Sequence, residues 1–291
     1  MQNGVFQTGN PRWSAVFSLF MGVMALIAAE FIPVSLLTPI ARDLAVSEGM
    51  AGQTVTAVGV LAVLTSLLLA PLTGNTDRRR ILLAFSAMLV ASYMLIGMAP
   101  TYSIMLIGRA ILGICVGGFW SLASAVTLQL VPTKDVPRAL SIVYAGVSVA
   151  TIIALPVASW IGHLIGWRNV FFLGALMAAF GFVWQYRALP SLPARAGSGF
   201  RDMSALLRRT WILAGIGGNI LSFGGYHIFF TYLQPFLELD LALGANTLSV
   251  ILLVFGVANV LGTFIAGALL GNHFRSTMIL VHLAFTAAAL A

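Results

Sequence analysis

The sequence contains a single cysteine, Cys115, which rules out a disulfide framework and any cysteine-based metal centre. Charge is scarce as well: Asp, Glu, Lys and Arg together make up 8% of the 291 residues, against about a quarter in soluble domains. A chain so poor in charge cannot cover a globule with water-compatible surface. It also lacks a glycine loop ending in Lys-Ser/Thr, a zinc-ligand spacing and a nucleophile elbow. Neither enzymatic chemistry nor a metal or cofactor is therefore expected, and nothing in the chain supports direct coupling to ATP. The formal net charge of +7 would point to nucleic acid in a soluble protein. Here the basic residues lie between apolar runs, so the expected partner is lipid and not nucleic acid. One cation, Arg12, precedes a first apolar run far longer than a signal-peptide core, so that run is expected to persist as a helix.

What the chain has in abundance is apolar sequence, 60% of all residues. About 20 apolar residues in a helix cross a bilayer core, and runs of that length recur throughout. Spans are expected at 14–40, 51–73, 81–99, 102–130, 139–165, 169–187, 211–236 and 247–271, with a ninth beginning near Thr277. The fold class is thus an all-α membrane protein. Residues 1–12 form an N-terminal segment, 13–187 a six-helix bundle, 188–210 a linker rich in arginine, proline and glycine, and 211–291 a second, incomplete bundle. Within the linker, residues 200–209 also read as an amphipathic segment able to lie on anionic lipid. With the N-terminus in the cytoplasm, twelve of the fifteen Lys and Arg residues fall inside, Arg42 and Arg168 fall outside, and Arg109 is intramembrane. The positive-inside rule selects that orientation.

The two bundles show weak self-similarity. Pro39, Asp43, Leu72, Gly74 and Asn75 correspond to Pro235, Asp240, Leu269, Gly271 and Asn272, at an offset of 196 or 197. Paired six-helix halves are an architecture of secondary transporters, and on that pattern about a hundred residues carrying three further spans are expected beyond Ala291.

Ionisable side chains inside the apolar runs are Glu30, Arg109, His227 and His282, each costly to bury unless paired or facing a cavity. Counted along their helices, Glu30 and Arg109 fall at similar depth, about 10–15 Å below the outer surface, and could meet. A carboxylate beside a guanidinium stays ionised, whereas a desolvated carboxylate without one takes up a proton, so the pair could couple protons. The other reading is a static ion pair that fixes helix packing. Arg109, Gly113 and Gly117 share one helix face, and the glycines are expected to let a neighbouring helix approach closely. Phe119 and Trp120 either wall a planar ligand or belong to the core. Span seven carries Asn219, Tyr226, His227 and Gln234, suited either to a hydrogen-bonding solute or to interhelical bonds. Pro156 in span five is a hinge or a tolerated kink.

Several motifs resemble the major facilitator superfamily, in particular its twelve-span drug:proton antiporter branch. Asp77-Arg78-Arg79-Arg80 after span two is similar to that superfamily's gating loop motif, without its internal glycine. Leu106-Ile107-Gly108-Arg109 with Gly113 and Gly117 is similar to the fourth-span motif, whose arginine the family links to proton transfer. Pro156 stands where the branch has a Gly-Pro, with Leu155 in the glycine's place. Trp13-Ser14-Ala15-Val16-Phe17-Ser18, Glu30-Phe31-Ile32-Pro33-Val34-Ser35-Leu36-Leu37-Thr38-Pro39, Gly117-Gly118-Phe119-Trp120 and Leu189-Pro190-Ser191-Leu192-Pro193 resemble exporters of purine ribonucleosides within that branch.

The resemblance implies a complete N-terminal half and a partial C-terminal half of a superfamily bundle, working by alternating access in a bacterial inner membrane. It further implies antiport of protons against inosine-like or guanosine-like solutes and their analogues, by a monomer. Glu30 and Arg109 would couple protons; Phe119, Trp120, Asn219, Tyr226, His227 and Gln234 would bind solute; Asp77, Arg78 and Pro156 would gate. Rival expectations are export of another drug or a sugar, and a non-transporting remnant or membrane interaction protein.

Overall fold

The computed structural model describes residues 11–74, 76–193 and 208–235 and, further on, separate helical positions between 251 and 286. Two compact units divide the chain, Met1–Gly197 and Ser198–Ala291. The first contains α1 (Trp13–Ser35), α2 (Leu37–Asp43), α3 (Glu48–Thr73), α4 (Arg78–Gly97), α5 (Tyr102–Leu130), a 3₁₀ turn (Thr133–Asp135), α6 (Val136–Ile165) and α7 (Trp167–Ala188). The second contains α8 (Thr210–Pro235). Among the described residues, α1, α3, α4, α5, α6 and α7 each contain a stretch long and apolar enough to cross a membrane.

Span ends follow local chemistry. Ser47 and Asp77 cap α3 and α4 by accepting from the amides of Met50 and Arg79. Gly166 adopts φ +86°, a conformation unfavourable for residues with a Cβ, and so turns the chain from α6 directly into α7. The expected first span does not run unbroken from 14 to 40. It stops at Ser35, and α2 starts at Leu37, because Pro39 has no amide for the Ser35 carbonyl and its ring crowds that same carbonyl. The other boundaries of the first seven spans lie within about three residues of expectation, inside the usual uncertainty of helix ends. Most of the expected span at 247–271 and linker residues 194–207 lie outside the described residues, and positions 276–284 are helical.

Within the first unit α1 packs mainly on α6 and α7, α3 on α5, and α4 on α5 and α7. Ala15, Val16, Leu19, Val23 and Leu26 form the buried stripe of α1 at helical spacing. The glycine face of α5 meets α3 as its four-residue spacing implies. A Cβ at Gly113 would stand 2.6 Å from the Val58 carbonyl oxygen and 3.0 Å from its Cα, and one at Gly117 would strike the Ala62 carbonyl. The outward side of α3 presents Val60, Val63, Leu64, Leu67 and Leu68, residues at home in lipid.

Polar ties staple the bundle where apolar packing cannot discriminate between neighbours. Buried Gln185 of α7 accepts from Ser86 of α4 at 2.6 Å and donates to the Ser18 carbonyl of α1 at 3.2 Å. Buried Tyr93 of α4 donates to the Ala25 carbonyl of α1 at 2.7 Å. At one end of the unit, Asp43 pairs with Arg168 and accepts from the Trp167 indole, while Arg168 also donates to the Ala99 carbonyl.

Candidate functional site

Arg109 is the largest fully buried side chain among the described residues, and α5 carries it into the junction with α1 and α3. Its Nη1 donates to the Ala29 carbonyl at 2.7 Å, its Nε to the Thr54 carbonyl at 3.3 Å, and its Nη2 to the Glu30 carbonyl at 3.4 Å. A helical carbonyl already accepts one backbone N–H and offers a further donor only its second lone pair. The Ala29 carbonyl lacks that first bond because the residue four positions on is Pro33, which has no N–H. The guanidinium thus occupies the place of a missing backbone donor.

Glu30 is half-buried on α1, one residue from that carbonyl, and its charge acts on Arg109. The structure therefore brings together the two residues that depth counting pairs. The guanidinium is thus held by backbone carbonyls of α1 and α3, with the charge of Glu30 nearby.

The adjacent aromatic residues of α5 diverge. Phe119 is in the core, 3% exposed, where its ring would contact a Cβ at Gly22 of α1 at 3.2 Å. Trp120 is half-buried and stacks on Tyr144 of α6, with ring centroids 5.6 Å apart and planes 13° off parallel. The Tyr144 hydroxyl and Ser124 share a hydrogen bond of 2.9 Å, and the tyrosine remains 37% exposed. Aromatic and hydroxyl surface at this level of a membrane helix differs from the leucine-covered faces elsewhere.

The residues of the Asp77-Arg78-Arg79-Arg80 loop are engaged in a junction on the first unit. Asp77 accepts from the Arg79 amide at 2.8 Å, the Ser191 hydroxyl at 2.6 Å and the Leu192 amide at 2.9 Å, while the Arg78 amide donates to the Leu192 carbonyl at 2.9 Å. Arg79 continues the junction, donating to the Tyr186 carbonyl at 2.7 Å. Partial burial alone would push the Asp77 carboxyl up, but the hydrogen bonds from Ser191, Leu192 and Arg79 and the charge of Arg80 outweigh it and hold the group below its usual range. A carboxylate with a lowered folded-state pKa contributes stability above its unfolded value and loses it as pH falls through the folded one. Asp77→Asn is accordingly expected to lower the thermal midpoint of the detergent-solubilised protein by a constant amount above about pH 4 and by a shrinking amount below it, because the carboxylate's advantage disappears on protonation. A gap unchanged down to pH 2 would contradict this assignment.

Asn219 is exposed on α8, whereas the side chains of Tyr226, His227 and Gln234 lie outside the described residues. The α6 helix continues through Pro156, whose side chain is likewise outside them. His282 bonds Ser222 at 2.8 Å and the Met278 carbonyl at 2.7 Å. Sequence reasoning did not single out Tyr93, Tyr144 or Gln185. Each is a neutral polar side chain within an apolar run, and that was the available signal.

Six membrane-length helices among the described residues, with a buried arginine where α5 meets α1 and α3, define a multi-pass membrane protein. The chain belongs to the Major Facilitator Superfamily, whose model matches residues 15–291, and members of that family are transporters and not enzymes. It is 42% identical over 260 residues to the purine ribonucleoside efflux pump NepI of Escherichia coli (strain K12), covering 89% of this chain and 66% of the relative. NepI of Salmonella paratyphi B is 42% identical over 253 residues, covering 87% and 64%. The chain thus spans just under two thirds of the length of these relatives. Among solved structures, the proton:xylose symporter XylE aligns with TM-score 0.66 at 14% identity, over 90% of this chain and 70% of its own. The human organic anion transporter MFSD10 aligns with TM-score 0.62 at 17% identity, over 87% and 71%. These two share the fold.

Proposed function

We propose that the protein is a secondary exporter of the bacterial inner membrane, moving purine ribonucleosides and their analogues outward in exchange for protons. Its N-terminus would be cytoplasmic, and it would act as a monomer by alternating access. The observation that carries this reading is Arg109, buried on backbone carbonyls with the half-buried Glu30 beside it. Relatives named for purine ribonucleoside efflux supply the solute class.

In this reading Glu30 carries the proton and Arg109 sets its affinity. Glu30 meets water on one side of the membrane at a time, and protonation changes which side the transporter favours. The Trp120–Tyr144 stack offers a planar base a π-face, at a typical gain of about 1–3 kcal/mol for base–aromatic stacking. On α8, Asn219, Tyr226, His227 and Gln234 supply donors and acceptors suited to base edges and ribose hydroxyls. Asp77, Arg78 and Pro156 serve the conformational change. Phe119 is assigned to packing.

Inverted membrane vesicles containing the protein test this directly. An imposed proton gradient should drive accumulation of labelled inosine, competed by guanosine and not by xylose or cationic drugs. Glu30→Gln should abolish gradient-driven accumulation while retaining inosine exchange at equal pH, because only proton binding is removed. Full accumulation by Glu30→Gln would remove Glu30 from the proton path, and a drug or sugar competing better than guanosine would overturn the solute assignment.

A further inference from the structure

Prolines inside helices are usually judged by the bend they impose. We propose that Pro33 is a positioning residue for Arg109: by withholding its own N–H it leaves the Ala29 carbonyl as a permanent acceptor for the guanidinium. The inference rests on the exporter reading for its functional consequence, though not for its geometry.

Three observations converge. Pro33 lies inside α1, so the helical bond from residue 33 to Ala29 cannot form. The proline ring also crowds the carbonyl four residues earlier, which favours tilting that carbonyl away from the helix axis. Arg109 Nη1 reaches the Ala29 oxygen at 2.7 Å, the shortest of its three hydrogen bonds to backbone carbonyls and within the charge-assisted range. Arg109 is 0% exposed, so no water can substitute for that acceptor.

The consequence concerns what happens when Glu30 gains a proton. An arginine held by its carboxylate alone would then be a buried cation without a partner, and proton uptake would be opposed. The Ala29 carbonyl is neutral and does not titrate, so it keeps its grip on the guanidinium in both protonation states of Glu30. Tyr93 of α4, the other ionisable group whose field acts on Arg109, is a phenol whose hydroxyl is occupied by the Ala25 carbonyl. Pro33 therefore separates two tasks, anchoring Arg109 and binding the proton, that one carboxylate would otherwise have to share.

The test compares Pro33→Ala, which restores the N–H, with Pro33→lactic acid introduced by nonsense suppression, whose ester bond has neither the N–H nor the ring. Pro33→Ala should lower gradient-driven inosine accumulation relative to equal-pH exchange by about tenfold, the scale of one lost charge-assisted hydrogen bond, whereas the lactic-acid variant should behave as wild type. Solid-state NMR dephasing between the Ala29 carbonyl carbon and the Arg109 guanidinium nitrogens supplies a readout independent of transport. The contact should be strong in wild type and the ester variant and lost in Pro33→Ala. Persistence of the contact in Pro33→Ala, or an ester variant as impaired as Pro33→Ala, would overturn the proposal. Wild-type protein that shows the contact but moves no inosine would leave this inference standing and defeat the exporter reading.

Discussion

Gly117→Leu is expected to prevent stable assembly of the first unit, with little folded protein recovered from the membrane and no transport. A Cβ at this position collides with the Ala62 carbonyl, which is α3 backbone and not the yielding end of a side chain. Relief therefore requires α3 to move away from α5, and α3 packs mainly on α5. Overpacking a well-fitted contact costs about 1–3 kcal/mol, and the upper end applies where only backbone can yield. The separation would also disturb Gly113 against Val58, one turn earlier, and the 3.3 Å bond from Arg109 to the Thr54 carbonyl. Gly59→Leu, on α3 with open space around its Cβ position, is the matched control and should assemble normally. Monodispersity on size-exclusion chromatography and thermal midpoints in detergent check both. A monodisperse Gly117→Leu protein of wild-type stability would mean that α3 and α5 are not held at this distance.

The features legible in the sequence were those with strong physical signatures. An apolar run of bilayer length has few alternatives, so the spans that became α3 to α8 were placed to within about three residues. Charges inside such runs are equally conspicuous, and counting from the helix ends brought Glu30 and Arg109 to the same level. The glycine face of α5 was readable because spacing alone sets which residues share a side. What escaped notice depended on phase or on hydrogen bonding. Phe119 and Trp120 are one residue apart, about 100° around a helix, and an all-apolar helix gives no clue to which faces the core. The structure puts the first inside and leaves the second half-exposed on Tyr144. Gln185 and Tyr93 lack charge, so their runs read as uniformly apolar although they tie three helices together. The break at Leu36 was encoded by Pro39, whose effect falls on the carbonyl four residues earlier. The acceptor for Arg109 follows the same rule applied to Pro33, a relation visible only once α5 is placed beside α1.

Arg109→Leu is expected to be more damaging than neutralising Glu30, and the reason lies in what each change leaves behind. Without the guanidinium, the Ala29 carbonyl has neither a helical donor nor a side-chain one, and an unsatisfied buried polar group costs about 1–3 kcal/mol. Glu30 also loses the positive charge beside it, a further cost that its partial burial keeps below that of a fully buried pair. Together these are a large fraction of the stability of an ordinary domain, so Arg109→Leu should be recovered at low yield with a strongly lowered thermal midpoint. Arg109→Lys keeps the charge as a compact ammonium that cannot match the guanidinium's planar fork, so it should fold but lose most gradient-driven accumulation. Adding Glu30→Gln to Arg109→Leu separates the two costs. The double variant should be more stable than Arg109→Leu alone, because the orphaned carboxylate is gone, yet less stable than Glu30→Gln, because the Ala29 carbonyl is still unmet. Thermal midpoints of the four proteins in one detergent measure that coupling. Strictly additive losses would mean that Glu30 and Arg109 do not sense each other, and the proton would then need another carrier.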